Sequence, residues 1–336
     1  MHNFIKKFGI ISVLFIILVF VLLFSVTQGA ANIPIEKVID IIIFGNGTAA
    51  EKFIIFEIRV PRAITGIFVG ASLALAGVLL QALFRNPMAD PYVLGISAGA
   101  GTGAAIAILF GISIIISGVS VSIMLFAFIG AIIEIFIVYE IAKTKEYIST
   151  TRLLLSGIAV GMFFGGILMI ILIFSHEQVH SILAWLFGSL ASSKWTNVSI
   201  VIIPFFVFLI IAFFLSRDLN ALLLGEETAQ HLGIDIENLK KIILISTSMI
   251  TSCAVSVSGL IGFVGLVVPH VARILFGANH KILIPVSVLL GAIALLSTDI
   301  LARMLIPPVE LPVGVITAFF GIPLFLYLLR KAKYEF

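Results

Sequence analysis

Residues 91 to 133 form a run of 43 positions without a single Asp, Glu, Lys or Arg. Such a stretch cannot build a water-facing surface, and a membrane-spanning helix needs about 20 apolar residues. The run is therefore long enough for two passes, with a break expected near Ser117-Gly118. A second uncharged run, 242 to 269, has 28 residues, too many for one ordinary span and too few for two. It is expected to hold a helix, a turn at Ser258-Gly259, and a short or broken helix ending at Pro269-His270. Non-helical backbone at that depth must be buried in protein or line a cavity. A third pattern is Glu57-Ile58-Arg59-Val60-Pro61-Arg62, then the uncharged run Ala63 to Phe84, then Arg85-Asn86-Pro87-Met88-Ala89-Asp90-Pro91. A charged start, a membrane-length crossing and a polar exit again describe a span.

Composition agrees. Of 336 residues, 61% are hydrophobic and 11% charged, where a soluble domain carries about 25% charge. The net charge of +3 is small and its basic residues sit at segment ends, which excludes a nucleic-acid surface. The single cysteine, Cys253, allows no intrachain disulfide and no cysteine metal site. The apolar stretch Phe8 to Val26 has 19 residues, whereas a cleavable signal core has roughly 7 to 15. It reads as a retained first helix.

The hydropathy pattern predicts an all-α polytopic membrane protein, one transmembrane domain over 1–336. Its ten crossings are placed at 8–28, 63–84, 93–112, 118–142, 153–175, 196–215, 242–258, 260–276, 282–302 and 312–330. With both termini in the cytoplasm, fourteen Lys and Arg fall on inner segments and six on outer ones, as the positive-inside rule requires. The outer loop 29–58 contains Ile35 to Ile42, which reads as a short amphipathic interfacial helix. The inner segment 216–241 is too polar to span and is broken by Gly225 and Gly233, so one or two short cytoplasmic helices and a partner surface are expected. Ser72-Leu73-Ala74-Leu75-Ala76-Gly77 faintly echoes Ala254-Val255-Ser256-Val257-Ser258-Gly259, as an inverted repeat would.

The motifs for chemistry are sparse. Gly95-Ile96-Ser97-Ala98-Gly99 fits G-x-S-x-G, with His270 as an imaginable base. That elbow needs a strand-to-helix turn, and small residues at this spacing serve helix packing. An intramembrane serine protease is thus one rival reading. No Walker A motif occurs, so any ATP-driven transport would draw on a separate subunit. An ion-coupled carrier is the other rival. Such carriers keep several ionisable groups at mid-membrane, whereas Glu134 is the lone acid well inside a span and is expected to hydrogen-bond a neighbouring helix or sit near the inner interface. Asp299 stands four residues before Arg303, where the two pair along one helix face. Arg59 and Arg62 precede one helix, and Arg303 ends another at the same outer face. Snorkelling to headgroups is one role for them. Receiving carboxylates from an acidic partner is another.

The chain resembles the FecCD-type permeases of binding-protein-dependent ABC importers for iron-siderophores, haem and cobalamin. The resemblance runs nearly end to end, through Arg59-Val60-Pro61-Arg62, Gln81 to Pro91, Leu94-Gly95-Ile96-Ser97, Ser149 to Gly157, Gly225 to Gly233, Gly262 to His270, Asp299 to Arg303 and Glu310 to Val315. It implies a homodimer of ten-helix subunits in the inner (cytoplasmic) membrane, with a pathway on the two-fold axis and no catalytic or metal site. Arg59, Arg62 and Arg303 match positions that receive glutamates of an extracytoplasmic substrate-binding protein. The counterpart of 219–239 forms coupling helices seated on a cytoplasmic ATPase, which itself binds ATP and Mg. The matching positions are Leu222, Gly225, Glu226, Glu227, Ala229, Leu232 and Gly233. Thr150 and Thr151 match the cytoplasmic gate, beside the fifth helix that lines the path. The expected cargo is an iron(III)-siderophore, with haem, cobalamin or an oxyanion such as molybdate behind it.

Overall fold

The computed structural model describes residues 2–29, 31, 33–116, 119–144 and 147–331. Helix α1, His2–Thr27, is followed by the short α2, Ile35–Phe44. The latter buries Val38 and Ile41 and exposes Ile35, Ile39 and Phe44, the two-faced pattern expected of an interfacial helix. Next come α3, Ala49–Phe53, a π-turn at Ile54–Arg59 and α4, Val60–Leu83, in one continuous helical stretch. The expected start at residue 63 is therefore too late, and Arg59 and Arg62 lie within helical backbone rather than ahead of it. The wide turn has a local cause. Pro61 has no N–H for the Glu57 carbonyl and its ring crowds that carbonyl, and the Val60 amide bonds the Ile55 carbonyl instead of that of Phe56. The Trp195 indole donates to the Phe56 carbonyl left over, at 3.0 Å.

The uncharged run gives a 3₁₀ turn at Pro91–Leu94, α5 at Ile96–Leu109 and α6 at Ser122–Ala142. Between these helices Ile115–Ile116 pairs antiparallel with Val119–Ser120, and the expected break at Ser117-Gly118 lies outside the described residues. Then follow α7 (Thr150–Phe174), α8 (Val179–Leu186) and α9 (Trp195–Phe214). The polar segment 216–241 folds in part as α10 (Ser216–Leu222) and α11 (Glu226–His231). The chain closes with α12 (Ile236–Ser258), α13 (Val264–Phe276), α14 (His280–Met304) and α15 (Val313–Lys331).

Seven helical stretches among the described residues are long and apolar enough to cross a membrane. Three more are apolar but shorter: Ile96–Leu109, Val264–Phe276 and Val313–Leu328. At 1.5 Å per residue, the first covers about 21 Å of a hydrocarbon core about 30 Å thick. The turn after Ser258 is found, at Gly259 with φ of 68°. The helix after it, however, begins at Val264 and runs past Pro269-His270 to Phe276. Proline inside a membrane helix costs less when neighbouring helices re-satisfy the freed carbonyl.

Small residues set the packing. Helix α4 is the hub, buried along nearly its whole length against α14, α12, α13 and α9. A Cβ on Gly70 would sit 2.3 Å from the Gly291 carbonyl oxygen, and one on Gly77 only 1.8 Å from that of Gly265. Helices α5 and α6 lock the same way, with Gly99 against the Gly130 carbonyl and Gly103 against that of Phe126. Without a hydrophobic drive between helices in lipid, such backbone approach is a main source of packing attraction. The echo between 72–77 and 254–259 does not extend to local structure: Gly77 is mid-helix, while Gly259 ends one.

Candidate docking, coupling and gate sites

At the end of the bundle where α4 begins and α14 ends, these two helices bring Arg62, Asp299 and Arg303 together, and the loop after α14 adds Glu310. The Arg62 guanidinium grips Asp299 with Nε–Oδ1 at 3.0 Å and Nη2–Oδ1 at 2.8 Å, and donates from Nη1 to Glu310 Oε2 at 2.8 Å. Arg303 pairs with the other Asp299 oxygen at 3.0 Å, the i,i+4 contact that the spacing predicts. Asp299 is fully buried, and Arg62 and Arg303 are 6% and 8% exposed. Two arginines and two carboxylates balance in charge, which offsets the cost of burying them.

Arg59 and Arg303 do a second job. The last carbonyls of a helix lack intrahelical donors. Arg303 Nη1 donates to the carbonyls of Ser25 at 3.2 Å and Gln28 at 2.8 Å. Arg59 Nη1 donates to those of Val26 and Thr27, both at 2.9 Å, and Nη2 to that of Ala31. Two guanidiniums thus close the C-terminus of α1, where positive charge also suits the helix dipole. The structure brings the three arginines to one end, as expected, but each is occupied within the chain rather than snorkelling.

In the segment 216–241, Leu222 of α10 and Ala229 of α11 are buried, whereas Leu232 is 63% and Leu224 67% exposed. Gly225 and Gly233 both take positive φ, 112° and 85°, and bracket α11. Glu227 is exposed and Glu226 turns inward to Lys240, 2.8 Å away. Thr150 begins α7 behind Ser149, whose hydroxyl accepts from the Arg152 amide at 3.3 Å. Thr151 is exposed. Just ahead of them, Ile148 is held through both its backbone groups by Lys240 and Glu237. Neither Lys240 nor Ile148 stands out in the sequence; the i,i+3 spacing of Glu237 and Lys240 is the only local trace of the arrangement.

Helix α7 differs from the hub. Little of it is buried, and Leu155, Ile158, Met162, Phe163, Met169 and Ile170 face outward. Glu134 of α6 does what a lone buried acid was expected to do. Its carboxylate accepts the Gly99 amide in the first turn of α5, whose N-cap, Gly95, has no side chain to offer. Ser97 stands in that same helical turn, not on a strand-to-helix elbow, and neither ring nitrogen of His270 has a hydrogen-bond partner. No Ser97–His270 couple exists here.

A bundle with seven helical stretches of membrane-crossing length and apolarity among the described residues defines a polytopic membrane protein. The chain belongs to the FecCD transport family, whose model matches residues 17–331. It is 43% identical over 282 residues to the cobalamin import system permease of Halobacterium salinarum, covering 84% of this chain and 74% of that one. It is 39% identical over 321 residues to the Fe(3+)-citrate import system permease of Bacillus subtilis, covering 95% and 93%. The molybdate import system permease of Haemophilus influenzae is 35% identical over 325 residues, covering 95% and 94%. Among solved structures, a metal-chelate type ABC transporter in an inward-facing conformation superposes with a TM-score of 0.85 at 32% identity, covering 96% of this chain and 99% of that one. The chain is an ABC transporter permease subunit, and not itself an enzyme.

Proposed function

We propose that this permease imports a metal chelate, an iron(III)-siderophore first, across the cytoplasmic membrane. The supporting observation is the whole-chain likeness to a transporter of the metal-chelate type. Cobalamin is the second reading, favoured by the 43% identity to an archaeal cobalamin permease. Two copies of the chain form the unit, with both termini in the cytoplasm. The outward apolar face of α7 lines a shared path past the gate residues Thr150 and Thr151. A wall of Leu, Ile, Met and Phe offers a large cargo few specific contacts, so selectivity rests with a separate binding protein.

Energy comes from a cytoplasmic ATPase that carries ATP and Mg. It docks on Leu222, Gly225, Glu226, Glu227, Ala229, Leu232 and Gly233, with exposed Leu224 and Leu232 as apolar anchors and buried Leu222 and Ala229 supporting them. The binding protein docks at Arg59, Arg62 and Arg303. Its carboxylates would exchange with Glu310, the acid of the cluster that is a third exposed.

The cargo is tested by uptake of labelled ferric siderophore, haem, cobalamin and molybdate in cells with and without the gene. ATP-dependent loss of the siderophore signal supports the first reading, loss of cobalamin alone supports the second, and uptake that dies with an ion gradient instead sinks both. Docking is tested by Arg59→Glu with Arg62→Glu, which should abolish binding-protein association in variant protein that still purifies folded. Undiminished association refutes it.

A further inference from the structure

The loop between α6 and α7 is tied to the coupling segment through one buried ammonium. Lys240 of α12 is 3% exposed. Its Nζ donates to the Glu226 carboxylate at 2.8 Å, to Glu237 Oε1 at 3.2 Å and to the Ile148 carbonyl at 3.1 Å. A lysine ammonium has three protons, and all three are spent. Glu237 closes the ring from the other side, accepting the Ile148 amide on Oε2 at 2.6 Å. Both backbone groups of a single residue are therefore held by side chains of α12. Ile148 is itself buried, at 2% exposure, and stands two residues before Thr150.

We propose that Lys240 is a positioning residue that carries displacement of α11 to the gate loop ahead of α7. This rests on the coupling and gate roles proposed above. Glu226 opens α11, so any shift of that helix moves one corner of the ammonium's cage. The opposite corner is the Ile148 carbonyl. Charge-assisted hydrogen bonds are short and resist stretching, and the ammonium itself is 3% exposed, although the Glu226 and Glu237 side chains are 34% and 29% exposed. The three acceptors move together or the cage opens and leaves a buried charge. Ile148, the residue it holds outside α11 and α12, directly precedes Ser149 and Thr150 at the start of α7.

The test uses the assembled importer, permease with its ATPase, in lipid nanodiscs. Thr151→Cys carries a nitroxide in each copy, and electron–electron distances are recorded with and without ATP–Mg trapped by vanadate. The labelled parent should show a nucleotide-dependent distance change. Lys240→Gln should retain the ATPase and its basal hydrolysis yet lose most of that change, and Glu237→Ala, which releases the Ile148 amide, should lose it in the same sense. A broken charged hydrogen bond costs about ten-fold or more in such an equilibrium. Where Lys240→Gln does not accumulate, Glu237→Ala decides, since its side chain is 29% exposed and tolerates truncation better. A full distance change in the variants overturns the role of Lys240. A parent that holds the ATPase but shows no change overturns the gate reading itself, and this inference with it.

Discussion

Asp299→Asn isolates the charge cluster between α4 and α14 with little change of shape. The wild-type cluster sums to zero: Arg62 and Arg303 against Asp299 and Glu310. The amide removes one negative charge from a site with no exposure and leaves two guanidiniums facing one partly exposed carboxylate. Removing one partner of a buried ion pair costs about 3–5 kcal/mol. With an unfolding entropy of about 2.1 cal/mol/K per residue, the 336 residues correspond to about 0.7 kcal/mol/K, and the substitution lowers Tm by about 4–7 °C. The assay is thermal unfolding of the purified permease in one fixed detergent, followed by tryptophan emission. The double variant Asp299→Asn with Arg303→Met returns the cluster to balance, so its loss should be smaller than the sum of the two single losses. A Tm within about 1 °C of wild type, or strictly additive losses in the double variant, refutes the claim that these charges act as one buried unit.

Other outcomes follow from packing and titration. Gly77→Ala drives a methyl into the Gly265 carbonyl at 1.8 Å, where backbone must move; the expected cost is about 1–3 kcal/mol or more. Gly165→Ala meets nothing within 4 Å and should be silent, so equal Tm values for the two would refute the packing account. Asp90 lies in the turn between α4 and α5, and burial pushes its carboxyl up to about 6 from 3.8. A raised acid favours the folded state when protonated: that contribution is whole below about pH 4 and is lost as pH climbs through 6. Asp90→Asn, which keeps an oxygen to accept the Tyr92 amide, should flatten stability between pH 4 and 6. An unchanged pH slope in the variant counts against it.

Much of the molecule is legible one segment at a time. All ten expected crossings contain a helix, because runs such as 91–133 and 242–269 leave no other use for uncharged residues in a bilayer. Their limits were less legible. The helix containing Arg59 and Arg62 begins at Ala49, since the proline at 61 is absorbed by a π-turn and Trp195, a residue from a distant helix. The arginines were identified by position but not by burial. Helix periodicity brings Asp299 to Arg303 four residues on; nothing local reveals that Arg62, 237 positions away, holds the same carboxylate.

The sequence by itself thus determined the solvent, the class and the order of the helices, because hydropathy, charge placement and glycine spacing are properties of neighbouring residues. The tertiary structure decided which charges meet: guanidiniums closing the end of α1, Glu134 capping α5, and Lys240 gripping Ile148 across 92 positions. Those contacts depend on the register in which helices pack. In lipid that register is set by where backbones can approach at glycine and where buried charge can be cancelled, and both depend on two segments at once.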